Sequence, residues 1–107
     1  MTDTQYVLGL DAGGTKIKAG LFDLTGEMVA IARRDNPCTT PQAGWVEIDP
    51  EALWQAAAES IREAVTTSGV NPDDIVGIAP TGFGNGVFCV DAEGNATRPA
   101  INSGDGR

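Results

Sequence analysis

The hexapeptide Asp11-Ala12-Gly13-Gly14-Thr15-Lys16, set between two apolar runs, does most to restrict how this chain can fold. Tyr6-Val7-Leu8-Gly9-Leu10 is short, mostly apolar and rich in residues that favour extended backbone, so it reads as a buried strand. A second extended run, Ile17 to Leu24, begins just past the glycines. The hexapeptide is therefore a tight connection between strands, with a carboxylate where the first strand ends. Glycines in such a connection let backbone N–H groups approach an anion with no side chain intervening. Thr15 adds a hydroxyl donor, and Lys16 or Lys18 adds positive charge. Asp11 would repel a phosphate, but its place makes sense if it orders the water shell of a magnesium ion bridging phosphates. The plainer reading is a Gly-Gly turn whose aspartate caps its own backbone. The six residues alone do not separate the two.

The remainder of the chain supplies context. Ile17-Lys18-Ala19-Gly20-Leu21-Phe22-Asp23-Leu24 meets a turn at Thr25-Gly26 and continues through Glu27 to Arg34, an antiparallel hairpin that makes three strands in succession. A polar, proline-containing stretch follows from Asp35 to Gly44. Asp49 then suits a helix N-cap, Pro50 the first helical position and Glu51 the positive end of the dipole. Leu53, Trp54, Ala57, Ile61, Ala64, Val65 and Ser68 recur at helical spacing, and Gly69 provides the stop. Asn71-Pro72-Asp73 is a turn, and Asp74 to Ala79 reads as a fourth, buried strand. Thr81 to Gly86 is a glycine-rich bend. Val87–Val90 and Ala96–Ile101 suggest a hairpin about Asp91–Asn95. The sequence stops at Gly104-Asp105-Gly106-Arg107 directly after a strand, which suggests a truncated domain.

Composition removes several function classes. The 107 residues fit one small domain with a modest core. With 15 acidic against 7 basic residues the net charge is -8, which argues against nucleic acid and anionic membranes as partners. Any anionic ligand must be held locally, by backbone amides, a few lysines or a metal. No histidine is present, so imidazole acid–base catalysis, Ser-His triads and histidine-ligated zinc are excluded within these residues. Cys38 and Cys89 lack metal-type spacing, and Cys89, in Val87-Phe88-Cys89-Val90, reads as a reduced core thiol. The polar start Met1-Thr2-Asp3-Thr4-Gln5 carries no basic leader, and no apolar run reaches membrane-spanning length. A cytoplasmic location is the simplest expectation.

The order strand, Asp-x-Gly-Gly-Thr, strand, Thr-Gly turn, strand, helix, strand resembles the opening of the actin-like (ribonuclease H-like) sugar kinases. Asp11 to Asp23 is similar both to the ROK group of glucokinase-type proteins and to the FGGY carbohydrate kinases, which include xylulose, ribulose and glycerol kinases. Gly44, Trp45, Glu47, Asp49, Pro50 and Trp54 resemble the approach to the first helix of FGGY kinases, and the likeness continues from Asp74 through Asp105 and Arg107. In physical terms Trp45 is a hydrophobic anchor, and Asp49 and Pro50 begin a helix. The resemblance covers nearly the whole chain and matches the first portion of a much longer protein.

It implies an α/β fold, part of an actin-like ATPase domain: a three-stranded antiparallel start, then helix, strand and hairpin. Residues 1–107 would be the N-terminal part of the first domain of an ATP-dependent carbohydrate kinase, with ATP and Mg2+ as cofactors. Asp11 would order the metal, and Gly13, Gly14 and Thr15 would surround the terminal phosphates. Lys18 falls where glycerol kinase carries an arginine near the transferred phosphate, keeping the charge but not the planar fork. Lys16 is more simply a solvated neighbour. On the substrate side Phe83 replaces a polar residue and can pack on the apolar face of a sugar, while Asn85 supplies polarity. Ser103 stands where glycerol kinase has an aromatic contact, which favours a larger polyol such as a pentulose. Asp105 and Arg107 read as an internal ion pair before a direct sugar contact. The catalytic base is expected downstream, so the fragment alone is expected to be inactive. The partner is a small sugar or polyol, and the resemblance leaves room for a homodimer of the full-length protein. Two other readings stay open here: a ROK-type hexokinase fragment, and a non-catalytic small α/β ligand-binding module.

Overall fold

The computed structural model describes residues 4–107; the first part of the polar start, residues 1–3, lies outside the described residues. In chain order the elements are β1 (Tyr6–Ala12), β2 (Lys16–Asp23), β3 (Met28–Asp35), β4 (Cys38–Thr39), β5 (Glu47–Ile48), α1 (Pro50–Ser68), a 3-10 turn (Pro72–Asp74), β6 (Ile75–Gly82) and β7 (Ala100–Ile101). A four-stranded sheet in the order β3-β2-β1-β6 is accompanied by a small sheet, β4-β5-β7. β1, β2 and β3 pair antiparallel as expected, and β6 returns beside β1 in parallel. A parallel return needs a crossover, and α1 provides it.

Local chemistry explains the joints. At the β2–β3 turn, Asp23 Oδ1 accepts hydrogen bonds from Thr25 N–H (2.9 Å), Glu27 N–H (3.1 Å) and the Thr25 hydroxyl (2.6 Å). The Thr25 hydroxyl leads in holding this carboxyl below its ordinary range. α1 begins as its caps dictate: Asp49 Oδ1 accepts from Glu51 N–H at 3.1 Å, with Pro50 in the first turn. It ends at Gly69, whose φ of 73° is left-handed and readily adopted only by glycine.

The core lies between α1 and one face of the sheet. Ala19, Ala32 and Ala64 meet there, flanked by Leu10 and Ile61. Alternation along the strands puts Leu8, Leu10, Ile17, Ala19, Leu21 and Ala32 on this face. Three alanines at the contact let the helix backbone approach the sheet closely. Arg34 of β3 fastens it from above through Glu59 (3.6 Å) and Glu63 (3.2 Å). Ala64 is fully buried, so Ala64→Leu forces extra methylenes into an occupied space. We expect about 1–3 kcal/mol of destabilisation, read as a lower urea midpoint. A midpoint equal to the wild type would refute the tight contact.

Several apolar residues expected inside are outside. Trp54 is 65% exposed, and Val76 and Ile78 of β6 are 54% and 60% exposed. α1 covers the sheet with Ala57, Ser60 and Ala64, while Trp54 lies on the neighbouring stripe with Ala58, Ile61 and Val65, beside Pro72. β6 is an edge strand beyond the reach of α1. Cys89 is exposed, like the rest of Val87–Val90, and is not a core thiol. The expected terminal hairpin is reduced to two isolated bridges, Val87 with Ile101 and Val90 with Ala96. Its last residues, Ala100–Ile101, also pair with β5 on their other side. Among the described residues no helix is long and apolar enough to cross a membrane.

Candidate phosphate-binding site

The carboxyl ends of the parallel strands β1 and β6 meet at one edge of the sheet, the place where open α/β sheets offer ligand sites. Asp11 lies directly across from Lys18 of β2 on one side and Thr81 of β6 on the other. Lys18 in turn faces Arg33 of β3, so Arg33, Lys18, Asp11 and Thr81 form a row across the sheet on the face away from α1. Among the described residues, the side chains of Asp11, Lys18 and Arg33 make no hydrogen bond or ion pair with another side chain. They are left free to meet a ligand. Below the row a hollow of about 250 Å³ has Gly9 and Gly20 in its floor and is walled by Phe22, Ile31 and Ala79. The Phe22 ring crowds Gly20 so closely that a Cβ there would sit 2.9 Å from it.

The loop from Gly13 to Lys16 is an unusual hairpin turn. Gly13 N–H donates to the carbonyl of Lys16 at 2.9 Å. The reciprocal bond, from Lys16 N–H to the carbonyl of Gly13, is not made. That carbonyl accepts instead from the Asn36 side-chain amide at 2.8 Å, and the Thr15 carbonyl accepts from Asn36 N–H at 2.9 Å. The backbone N–H groups of Gly14, Thr15 and Lys16 consequently make no hydrogen bond among the described residues. Three successive free donors beside Asp11 and Lys18 suit the oxygens of a phosphate chain. Gly13 is required by contact, since a Cβ would meet the Lys16 carbonyl oxygen at 2.8 Å. Gly14 is under no such pressure, with nothing within 4 Å of its Cβ position.

Lys16 shares a face of β2 with Lys18 but is already engaged. Its ammonium pairs with Asp35, directly across on β3, and this pairing holds the Asp35 carboxyl below its ordinary range. Lys18 is thus the better placed cation. A metal fits only indirectly: among the described residues no three carboxylates or thiols gather to hold an ion. Asp11 by itself suits a hydrated cation already carried by a phosphate chain.

On the substrate side, Gly82 pairs with Ala12, so the bend starting at Phe83 leaves the sheet next to the loop. Phe83 is half-buried, and its ring lies 3.4 Å from the Cβ position of Gly86. Asn85 is exposed and takes a left-handed φ of 64°. Ser103 is exposed; its hydroxyl donates to Asn102 Oδ1 at 3.4 Å. The Asp105 side chain is only 3% exposed. It accepts from Val46 N–H (2.7 Å) and Arg107 N–H (2.8 Å), and pairs with the Arg107 guanidinium at 2.6 Å. Arg107 stacks 3.9 Å above the Trp45 ring and reaches Glu47 at 2.9 Å. The Arg107 side chain leads in holding the Asp105 carboxyl far below the carboxylate range. Asp105 therefore has its capacity filled by the protein.

Two participants escape a reading of the sequence. Asn36 and Asn102 flank Cys38: the thiol donates to Asn36 Oδ1 at 2.9 Å, and Asn102 Nδ2 donates to the sulfur at 3.4 Å. Burial pushes the Cys38 thiol up, so it remains protonated and able to donate. The chain of contacts runs from the 102–105 loop to the Gly13–Lys16 loop. No local sequence signal marks it, because its members are brought together only by the pairing of β4, β5 and β7.

Residues 6–107 match the model of the N-terminal domain of the FGGY family of carbohydrate kinases. This chain belongs to the FGGY family. The ROK-type alternative is not favoured. Among curated FGGY relatives, an L-xylulose/3-keto-L-gulonate kinase of Escherichia coli (strain K12) is 42% identical over 104 residues, spanning 97% of this chain and 21% of that protein. A glycerol kinase of Burkholderia cenocepacia (strain HI2424) is 44% identical over 77 residues, 72% of this chain and 15% of that protein. The crystal structure of xylulose kinase from Rhodospirillum rubrum superposes with a TM-score of 0.86 at 36% identity, covering 96% of this chain and 21% of that one. The FGGY chain described here thus spans about a fifth of the length of the xylulose kinase relatives, and its fold is the corresponding part of their actin-like ATPase fold.

Proposed function

We propose that the full-length protein transfers a phosphoryl group from ATP to a hydroxyl of a ketose or larger polyol, and that residues 1–107 are the first part of its first domain. The observation that carries this reading is the run of N–H groups at Gly14, Thr15 and Lys16 that, like the Asp11 and Lys18 side chains beside them, have no partner among the described residues. When bound, Mg–ATP supplies the transferable group with part of its charge neutralised. Gly13 gives the loop its close turn, the free amides and Lys18 bind the terminal phosphates, and the Asp11 carboxylate orders the cation's water. Such a site works by positioning and by electrostatic stabilisation.

On the acceptor side we assign Phe83 to the apolar face of the sugar, Asn85 to hydroxyl contact and Ser103 to the space that a larger substrate occupies. Asp105 shapes this wall through Arg107 and Val46 without touching the sugar. The proton acceptor belongs to the part of the protein beyond these residues. We propose a cytoplasmic location, where ATP is available to such a kinase. The names of the relatives, L-xylulose/3-keto-L-gulonate kinase and xylulose kinase, support a ketose. ADP release by the full-length protein, measured over a panel of pentuloses, hexuloses, ketogulonate and glycerol, tests the assignment. Glycerol as the best acceptor would overturn the substrate class, and no ADP release with any acceptor would overturn the kinase reading.

A further inference from the structure

We infer that Asn36 is a positioning residue which holds the phosphate loop open for nucleotide. This deepens the proposed function and rests on reading Gly13–Lys16 as a phosphate loop. In a two-residue hairpin the first carbonyl normally accepts the N–H three residues on, closing the turn. Here that carbonyl, of Gly13, is occupied by Asn36 Nδ2 at 2.8 Å. Asn36 N–H also takes the Thr15 carbonyl, at 2.9 Å. The C=O and N–H of one peptide unit point in opposite directions. Drawing the Gly13 and Thr15 carbonyls toward Asn36 therefore turns the N–H groups of Gly14 and Lys16 away from Asn36. The Gly13 N–H remains tied to the Lys16 carbonyl at 2.9 Å, so the hairpin keeps its register while its last donor stays free.

The orientation of the Asn36 side chain is itself fixed. Its oxygen accepts from the Cys38 thiol at 2.9 Å, which leaves only its nitrogen to face Gly13. Cys38 is positioned in turn by Asn102 Nδ2 at 3.4 Å, and the Asn102 oxygen accepts from Gly104 N–H at 2.8 Å. The clamp on the phosphate loop is thus braced by the loop that carries Ser103.

The deciding substitution is Asn36→Asp in the full-length protein. It has the same shape and keeps the acceptor for Cys38, but it has no N–H to offer Gly13. The freed carbonyl then closes the turn onto Lys16 N–H. We expect the ATP dissociation constant to rise at least about ten-fold, as suits a lost hydrogen bond to a charged group, while the KM for sugar stays within two-fold. In protein labelled with 15N-lysine, the Lys16 amide should exchange with solvent more slowly in the variant than in the wild type. Cys38→Val, which leaves the carboxamide free to rotate, should raise the ATP dissociation constant in the same direction by less; it serves equally if Asn36→Asp does not fold. An ATP dissociation constant within two-fold of wild type, together with an unchanged Lys16 amide, would overturn the assignment. Wild-type protein that binds no ATP would instead overturn the kinase reading, and the Lys16 amide would still decide whether Asn36 holds the turn open.

Discussion

Asp11→Asn in the full-length protein is expected to lower kcat by about a thousand-fold while leaving the fold intact. The side chain is exposed and, among the described residues, has no hydrogen-bond or ion-pair partner, so folding gains little from its charge. The substitution preserves shape and hydrogen-bonding capacity at the β1 edge, opposite Lys18 and Thr81. It removes the one negative charge in the row, and with it the group suited to ordering a cation's water. Because the transition state of phosphoryl transfer is stabilised chiefly by positioned charge, the effect belongs in kcat more than in sugar binding. A coupled ADP-release assay beside a thermal melt separates the two. Turnover near the wild-type value would remove Asp11 from the mechanism, and a collapsed melt would make its role structural.

The second large effect is expected at Asp105. Asp105→Asn keeps an acceptor for Val46 N–H but discharges the group that pairs with Arg107. Arg107, held over Trp45 and against Glu47, is then left with fewer partners, and the melting temperature at pH 7 should fall by about 5 °C. The pH dependence gives the sign. The folded carboxyl titrates well below its ordinary value of 3.8, so its stabilisation is fully present above the unfolded value. It is lost as pH falls below that value toward the folded one. The gap between wild type and Asp105→Asn should therefore be constant from pH 7 to about 5 and narrow below pH 4. A gap that stays constant into acid would show that charge pairing at Asp105 contributes nothing.

Short-range chemistry was the part of this fold that the sequence disclosed. Asp49, Pro50 and Gly69 act on neighbours within a turn, and both ends of α1 stand where they indicate. The first three strands follow from apolar runs long enough to show alternation. β4, β5 and β7 have two residues each, too few for any period to register, and their sheet is held by partners far apart in sequence. Trp54, Val76, Ile78 and Cys89 were misjudged for one physical reason. Apolarity records that a side chain is suited to burial, and whether it is buried depends on a partner element. At the candidate site, the glycines, Asp11 and Lys18 stand out in the sequence because their residue types suit an anion. The Lys16–Asp35 ion pair was not legible, since Asp35 becomes a neighbour only through the pairing of β2 with β3. Asn36 was invisible on similar grounds: an asparagine before a proline suggests a turn, and nothing in that suggests a hold on a carbonyl 23 positions earlier.

The uncovered edge of β6 has a consequence in time. A strand with one side paired to β1 and Val76 and Ile78 open to water presents a row of free backbone groups that any extended segment can join. If an element beyond residue 107 of the full-length protein proposed above covers that edge, β1 to β6 leave the ribosome before it, and the interval is set by the number of residues between them at about 5–20 residues per second. Throughout it, the nascent chain carries a nearly assembled sheet with an adhesive margin. Chaperone demand in the cell, and clumping of the segment when expressed on its own, should both trace to those few residues. Charged replacements at Val76 and Ile78 are the place to begin when solubility is the aim.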